Sequence, residues 1–301
     1  MNPTVVILLV GSLVAASTAI LGCFLVLRKM ALLGDAISHA VLPGIVLAFL
    51  FTGSRSPLPM FLGAGALGLV TVFAVELFAR SRRLGEDASI GVVFPALFSI
   101  GVILISRYAG QVDLDLDCVL YGEIAYAPWD LWLVGERSLG PRALWINGAL
   151  LAVIAGFVGL FWKELKLSTF DPELAAALGF SPVLLHYLLM GAVSIAVVGA
   201  FESVGAILVV ALLVVPPSTA YLLTDALGRM VGISVACGVA STLGGYAMAR
   251  ALDASIAGSM ATVAGLLFLL AFLFSPAHGV LPRLWRRRAL AGGLASPDEL
   301  S

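Results

Sequence analysis

Residues 31–50 read ALLGDAISHAVLPGIVLAFL. In a helix rising ~1.5 Å per residue, about twenty apolar residues cross the ~30 Å hydrocarbon layer of a bilayer. This stretch has that length, yet it carries Asp35 and His39. An ionisable side chain at the centre of a membrane helix costs about 2.5–3.5 kcal/mol on insertion scales. At positions i and i+4 the two side chains share one helix face. Two readings follow: a hydrogen-bonded pair that fixes helix packing, or a carboxylate and an imidazole aimed at one divalent first-row metal ion. Pro43 cannot donate to the carbonyl of His39 and its ring clashes with it, which frees a backbone oxygen beside the imidazole. Ser38 and Pro43 are therefore expected to line the same path, and Gly34 and Gly44 keep that face slim.

The rest of the chain is equally apolar. Of 301 residues, 61% are hydrophobic and 12% charged, against about 25% charged in soluble domains. The charges cluster between apolar runs. A net charge of −1 offers no basic surplus for nucleic acid. Cys23, Cys118 and Cys237 have no paired spacing, so neither a disulfide framework nor a cysteine metal site is readable. No phosphate-binding GxxxxGK[ST], HExxH or GxSxG motif occurs. The sequence thus offers no site for ATP hydrolysis.

Nine spans are expected, at about 5–27, 31–52, 58–79, 88–106, 143–162, 182–201, 203–222, 229–249 and 255–275. Reading 182–222 as one span plus a re-entrant segment would give eight. No Lys or Arg precedes the first run, which reads as a retained span with its N-terminus outside. Twelve Lys and Arg then fall inside, including Arg28, Lys29, Arg80 and Arg286–Arg288, and five outside. This bias puts the C-terminus in the cytoplasm. Residues 1–280 form one transmembrane domain, and 281–301 a basic, disordered tail.

Two connections exceed tight turns. The outer one, about 107–142, mixes Asp113, Asp115, Asp117 and Glu123 with Tyr121, Tyr126, Trp129 and Trp132. It is either a solvated loop with interfacial aromatics or an external vestibule suited to cations. The inner one, KELKLSTFDPELAAALGFSP, predicts a short amphipathic helix at about 170–180. Ser168 or Thr169 caps it, Pro172 sits in its first turn with Asp171 and Glu173 as acids at its positive end, and Gly179 stops it. Such a helix either joins two spans or offers Asp171, Pro172, Glu173, Ala177, Leu178 and Gly179 to a soluble partner.

Glu202 stands alone between His186 and Asp225. It reads as an outer-surface carboxylate or as a further metal ligand. From the expected spans Asp35 is about four residues from the inner end and Glu202 near the outer one, so a shared site requires a re-entrant 203–215 or an outward shift of the second span. Pro216 and Pro217 would break that segment and expose carbonyls along a cavity, making them pore-lining. His186 and His278 read as interfacial.

GDAISHAVLPGIVLAF, FDPELAAALGF and VGAILVVALLVVPPSTAYLLTD together resemble the membrane permease subunits of ABC importers for manganese, zinc and iron. The resemblance spans about residues 5–275. It implies an all-α polytopic fold of the type II importer kind, related to the vitamin B12 and siderophore permeases, in the bacterial cytoplasmic membrane. It further implies a second permease copy, identical or related, two cytoplasmic ATPase subunits on the 170–180 helix, and an extracytoplasmic metal-binding protein outside. Asp35 and His39 become cation ligands in the path, with Glu202 a weaker carry-over. No permanent cofactor is expected, only the transported Mn²⁺, Zn²⁺ or Fe²⁺. The lack of Cys ligands and of a His-rich loop favours Mn²⁺. The rivals are a proton-coupled secondary transporter using Asp35–His39 as a relay, a non-transporting scaffold, and an importer of siderophore or cobalamin chelates on the same fold.

Overall fold

A computed structural model describes residues 2–53, 57–80, 85–109, 124–134, 137–275 and 279–282. Among these are nine helices long and apolar enough to cross a membrane. They are α1 (Pro3–Leu27), α2 (Leu33–Thr52), α3 (Pro57–Ala79), α4 (Glu86–Leu104), α5 (Arg142–Leu160), α8 (Pro182–Val204), α9 (Ala206–Leu223), α10 (Leu227–Leu252) and α11 (Ile256–Phe274). Two short helices, α6 (Trp162–Phe170) and α7 (Pro172–Ala177), lie between α5 and α8. The span limits match the sequence expectation to within three residues. The eight-span alternative is corrected: α8 and α9 are separate full helices joined at Gly205, whose φ of 79° suits glycine.

α1 is the axis of the bundle. Most of its residues between Val6 and Leu25 are buried, and it packs against α5, α8, α9 and α10. A helix apolar all round belongs in such a position. In lipid there is little hydrophobic drive between helices, so association rests on close packing, and small residues permit it. A Cβ on Gly22 of α1 would land in the carbonyl of Leu213 on α9 and 2.7 Å from the ring of Pro217. α2 meets α3 in the same manner, since a Cβ on Gly44 would lie 2.7 Å from the backbone of Gly63 and Ala64.

The connection between α4 and α5 contains more structure than a loop. A small antiparallel hairpin, β1 (Leu131–Val134) with β2 (Arg137–Pro141), leads into α5. Ahead of it, Ile124 is buried in the core against Gly11 of α1. Asp113, Asp115, Asp117 and Glu123 of this connection, with Cys118 and Tyr121, lie outside the described residues, as do His278 and 283–301 of the tail.

The α1–α9 contact yields a stability prediction. Gly22→Ala overpacks the seam by about 1–3 kcal/mol and lowers the thermal midpoint of the detergent-solubilised chain. Gly91→Ala, where no atom lies within 4 Å of the added carbon, leaves the midpoint unchanged or raises it.

Candidate metal site

Asp35 and His39 sit in the first two turns of α2, with Asp35 Oδ1 3.5 Å from His39 Nε2. Two ligands ~2.1 Å from one ion at a tetrahedral angle are ~3.4 Å apart, so the spacing fits a shared ion as well as a simple pair. The side chains remain open, 46% exposed for Asp35 and 29% for His39. The neighbours in this chain therefore leave part of the pair uncovered.

The pair lies deeper than the span limits suggest. Gly34, next to Asp35, receives the side chain of Leu213, the residue whose carbonyl meets Gly22. Gly22 is six residues before Arg28, or ~9 Å along α1. Two residues past Asp35, Ile37 meets Gly68 of α3, which also receives Ser194 of α8. Ser194 is the thirteenth residue of the 23-residue α8, and so lies near its middle. Asp35 is thereby set toward the middle of the bundle, although α2 itself begins only two residues before it.

α4 holds the imidazole. The ring of Phe94 lies 4.8 Å from that of His39, centroid to centroid, and Phe98 meets it edge-on at 5.8 Å. Aromatic pairs in this range contribute about 0.5–1.5 kcal/mol beyond burial, enough to bias ring orientation. Pro43 sets the approach of the two helices: a Cβ on Gly101 of α4 would lie 2.9 Å from the proline ring. Sequence reasoning missed Phe94 and Phe98. Their i, i+4 spacing matches that of Asp35 and His39, but nothing in one sequence reveals which α4 face meets α2.

The other candidates are placed differently. Ser38 is buried and donates to the Gly34 carbonyl of its own helix at 2.9 Å. Pro216 and Pro217 do not interrupt α9. Both are buried, and the Leu213 carbonyl that Pro217 leaves without a helical donor is sealed by the approach of Gly22, so it opens on no cavity within this chain. Glu202 lies near the far end of α8 with Oε1 3.6 Å from Arg142 Nη2, and is 62% exposed. The structure does not bring it to Asp35 and His39. Among the described residues no cluster of three or more His, Cys, Asp or Glu side chains forms within one chain.

The short helix α7 forms as its signals dictate. Asp171 is the N-cap and accepts from Leu174 N at 2.9 Å, and Pro172 follows in the first turn. Gly179 at φ 88° and the bond from Phe180 N to Ala175 O close a Schellman stop. Ser168 and Thr169 are not the cap. They finish α6 and donate back to Leu165. On α7 and its stop, Glu173, Leu174, Ala177 and Leu178 are exposed while Ala175 is buried. His186 is half-buried, with its Nε2 buried and its Nδ1 facing Arg28.

Nine apolar spans, a polar pair presented from mid-bundle and an exposed helix between two spans define a transport-type membrane subunit. A profile of the ABC 3 transport family matches residues 2–275, and the chain belongs to that family. It is 48% identical over 280 residues to the manganese transport system membrane protein MntD of Bacillus subtilis, covering 93% of this chain and 95% of the relative. It is 48% identical over 287 residues to the zinc transport system membrane protein TroD of Treponema pallidum, covering 95% and 78%. The structure of PsaBC from Streptococcus pneumoniae in complex with Fab superposes with a TM-score of 0.77 at 30% identity, covering 96% of each chain. An inward-facing putative metal-chelate type ABC transporter shares the fold with a TM-score of 0.63 at 19% identity, covering 89% of this chain and 84% of that one.

The aromatic clamp is testable by NMR, because the chain has three histidines. The face of Phe94 shifts the carbon-bound imidazole protons of His39 upfield. Phe94→Leu removes that shift in histidine-labelled protein, whereas His186 signals stay in place.

Proposed function

We propose that this chain is the membrane-spanning subunit of an ATP-driven importer of divalent transition metal ions, with Mn²⁺ the favoured cargo and Zn²⁺ or Fe²⁺ the alternatives. The observation that carries the reading is the Asp35–His39 pair, half open at mid-depth of an otherwise apolar bundle. Mn²⁺ and Zn²⁺ take four to six ligands, and one chain offers two. A second copy, identical or related, across a two-fold axis doubles them to four. A carboxylate with an imidazole accepts Mn²⁺, Fe²⁺ and Zn²⁺. The manganese, zinc and chelated-iron systems named for its relatives support this class of cargo.

The mechanism follows from the donor set. An extracytoplasmic binding protein delivers the ion at the face carrying the β1–β2 hairpin. The ion exchanges its water for Asp35 and His39 of both copies. Few ligands hold it weakly enough for release, as transit requires. Two cytoplasmic ATPase subunits grip α7, where Leu174 and Leu178 are exposed. Their closure moves α7 and rocks the spans, switching which side the pair faces. In this orientation the N-terminus is outside and the C-terminus inside.

Reconstitution with the ATPase subunits and binding protein tests the reading. Radiolabelled Mn²⁺ enters proteoliposomes only with ATP, and His39→Ala or Asp35→Asn lowers uptake about tenfold or more with unchanged thermal stability. Uptake driven by a proton gradient without the ATPase would establish the secondary transporter instead. Separately, Asp171→Ala removes the α7 cap, costs that helix about 1 kcal/mol, and weakens co-purification of the ATPase.

A further inference from the structure

Arg28 is the C-cap of α1, one residue beyond the span. Its three guanidinium nitrogens are all engaged. Nε donates to Thr169 Oγ1 at 3.1 Å, Nη2 to Ser168 Oγ at 2.9 Å, and Nη1 to His186 Nδ1 at 3.5 Å. One side chain thus joins the end of α1, the last turn of α6 and the first turns of α8. An arginine has no acceptor, so the contact with His186 fixes the imidazole with Nδ1 accepting. Burial pulls the guanidinium below its usual range, and the partners described are neutral. A buried cation whose hydrogen-bond partners are neutral is costly, so packing alone is a poor reason for this residue.

The backbone at Arg28 is also committed. Lys29 adopts φ 62°, a left-handed conformation unusual for a side chain with a Cβ. Lys29 N bonds Val26 O at 3.0 Å, and Met30 N bonds Leu25 O at 2.9 Å. This is the double bond of a Schellman stop, built without glycine. The turn passes directly into α2, which begins at Leu33 and carries Asp35. On the other side, Ser168 and Thr169 precede Asp171, the cap of α7, by three and two residues.

We propose that Arg28 is a positioning residue that ties the α6–α7 segment to the start of the metal-bearing helix α2, so that displacement of α7 is delivered to Asp35 and His39. The inference rests on the importer reading above and names its mechanical link. The route is short and contiguous: α7, the Asp171 cap, the Ser168–Thr169 hydroxyls, the guanidinium fork, the Lys29 turn, α2. The planar fork reaches all three partners at once, which a lysine ammonium does not do.

The test is the number of ATP molecules hydrolysed per Mn²⁺ imported by the complete reconstituted transporter. Arg28→Gln raises that ratio about tenfold or more, while basal ATP hydrolysis stays within about twofold of wild type. Arg28→Lys gives an intermediate value. Ser168→Ala combined with Thr169→Val raises the ratio too, and adding Arg28→Gln to that pair raises it no further. A structural role alone lowers yield and thermal stability but leaves the ratio of surviving complexes unchanged, and that result overturns the proposal, as does additivity. If Arg28→Gln fails to assemble with the ATPase, the Ser168–Thr169 variant decides by the same ratio. Wild-type complex that imports no metal with ATP defeats the importer reading itself.

Discussion

The structure depends on keeping two ionisable side chains within an apolar layer without enclosing them. Asp35 and His39 are separated by 3.5 Å, partly exposed, and set at mid-bundle. Each would be costly there if it faced lipid. Their neighbours answer that cost. Phe94 and Phe98 cover one side of the imidazole. Leu213 fills the space beside Gly34, and Pro43 holds α4 at the distance Gly101 permits. What remains open is the other side of the pair, which the proposed importer would complete with a second copy.

Leu213 shows how the helices around the site are locked together. Its carbonyl, deprived of a helical donor by Pro217, lies against Gly22 of α1, and its side chain lies against Gly34 of α2. One residue therefore registers three helices. The turn that connects α1 to α2 is fixed in the same way by Arg28 and by the left-handed Lys29. The depth of Asp35 in the bundle follows from these contacts and from no property of α2 alone.

The spans were legible in the sequence because bilayer thickness sets a length and apolar runs reveal it. Pro172 and Gly179 made α7 legible too, since first-turn proline and left-handed stop each have a local cause, but the cap fell to Asp171 rather than to Ser168 or Thr169, whose hydroxyls bond back within α6. Asp35 and His39 stood out because charge in such a run demands a reason. Their depth did not, because it depends on which glycine meets which helix. Phe94, Phe98 and the Arg28 contacts were invisible for a related reason: residues separated by more than fifty or a hundred positions meet only once the bundle is packed. Pro216 and Pro217 misled for the opposite reason. A proline signals a free carbonyl, but whether that carbonyl faces a cavity or a neighbouring glycine is decided by tertiary packing.

The central claim is that two copies of the pair bind one ion. Pulsed electron paramagnetic resonance of Mn²⁺ bound to the assembled transporter, with histidine labelled by nitrogen-15, reads it directly. Two equivalent imidazole nitrogens coupled to the manganese, both lost in His39→Ala, are the predicted result. A spectrum with no histidine coupling, or coupling that survives His39→Ala, would contradict the account.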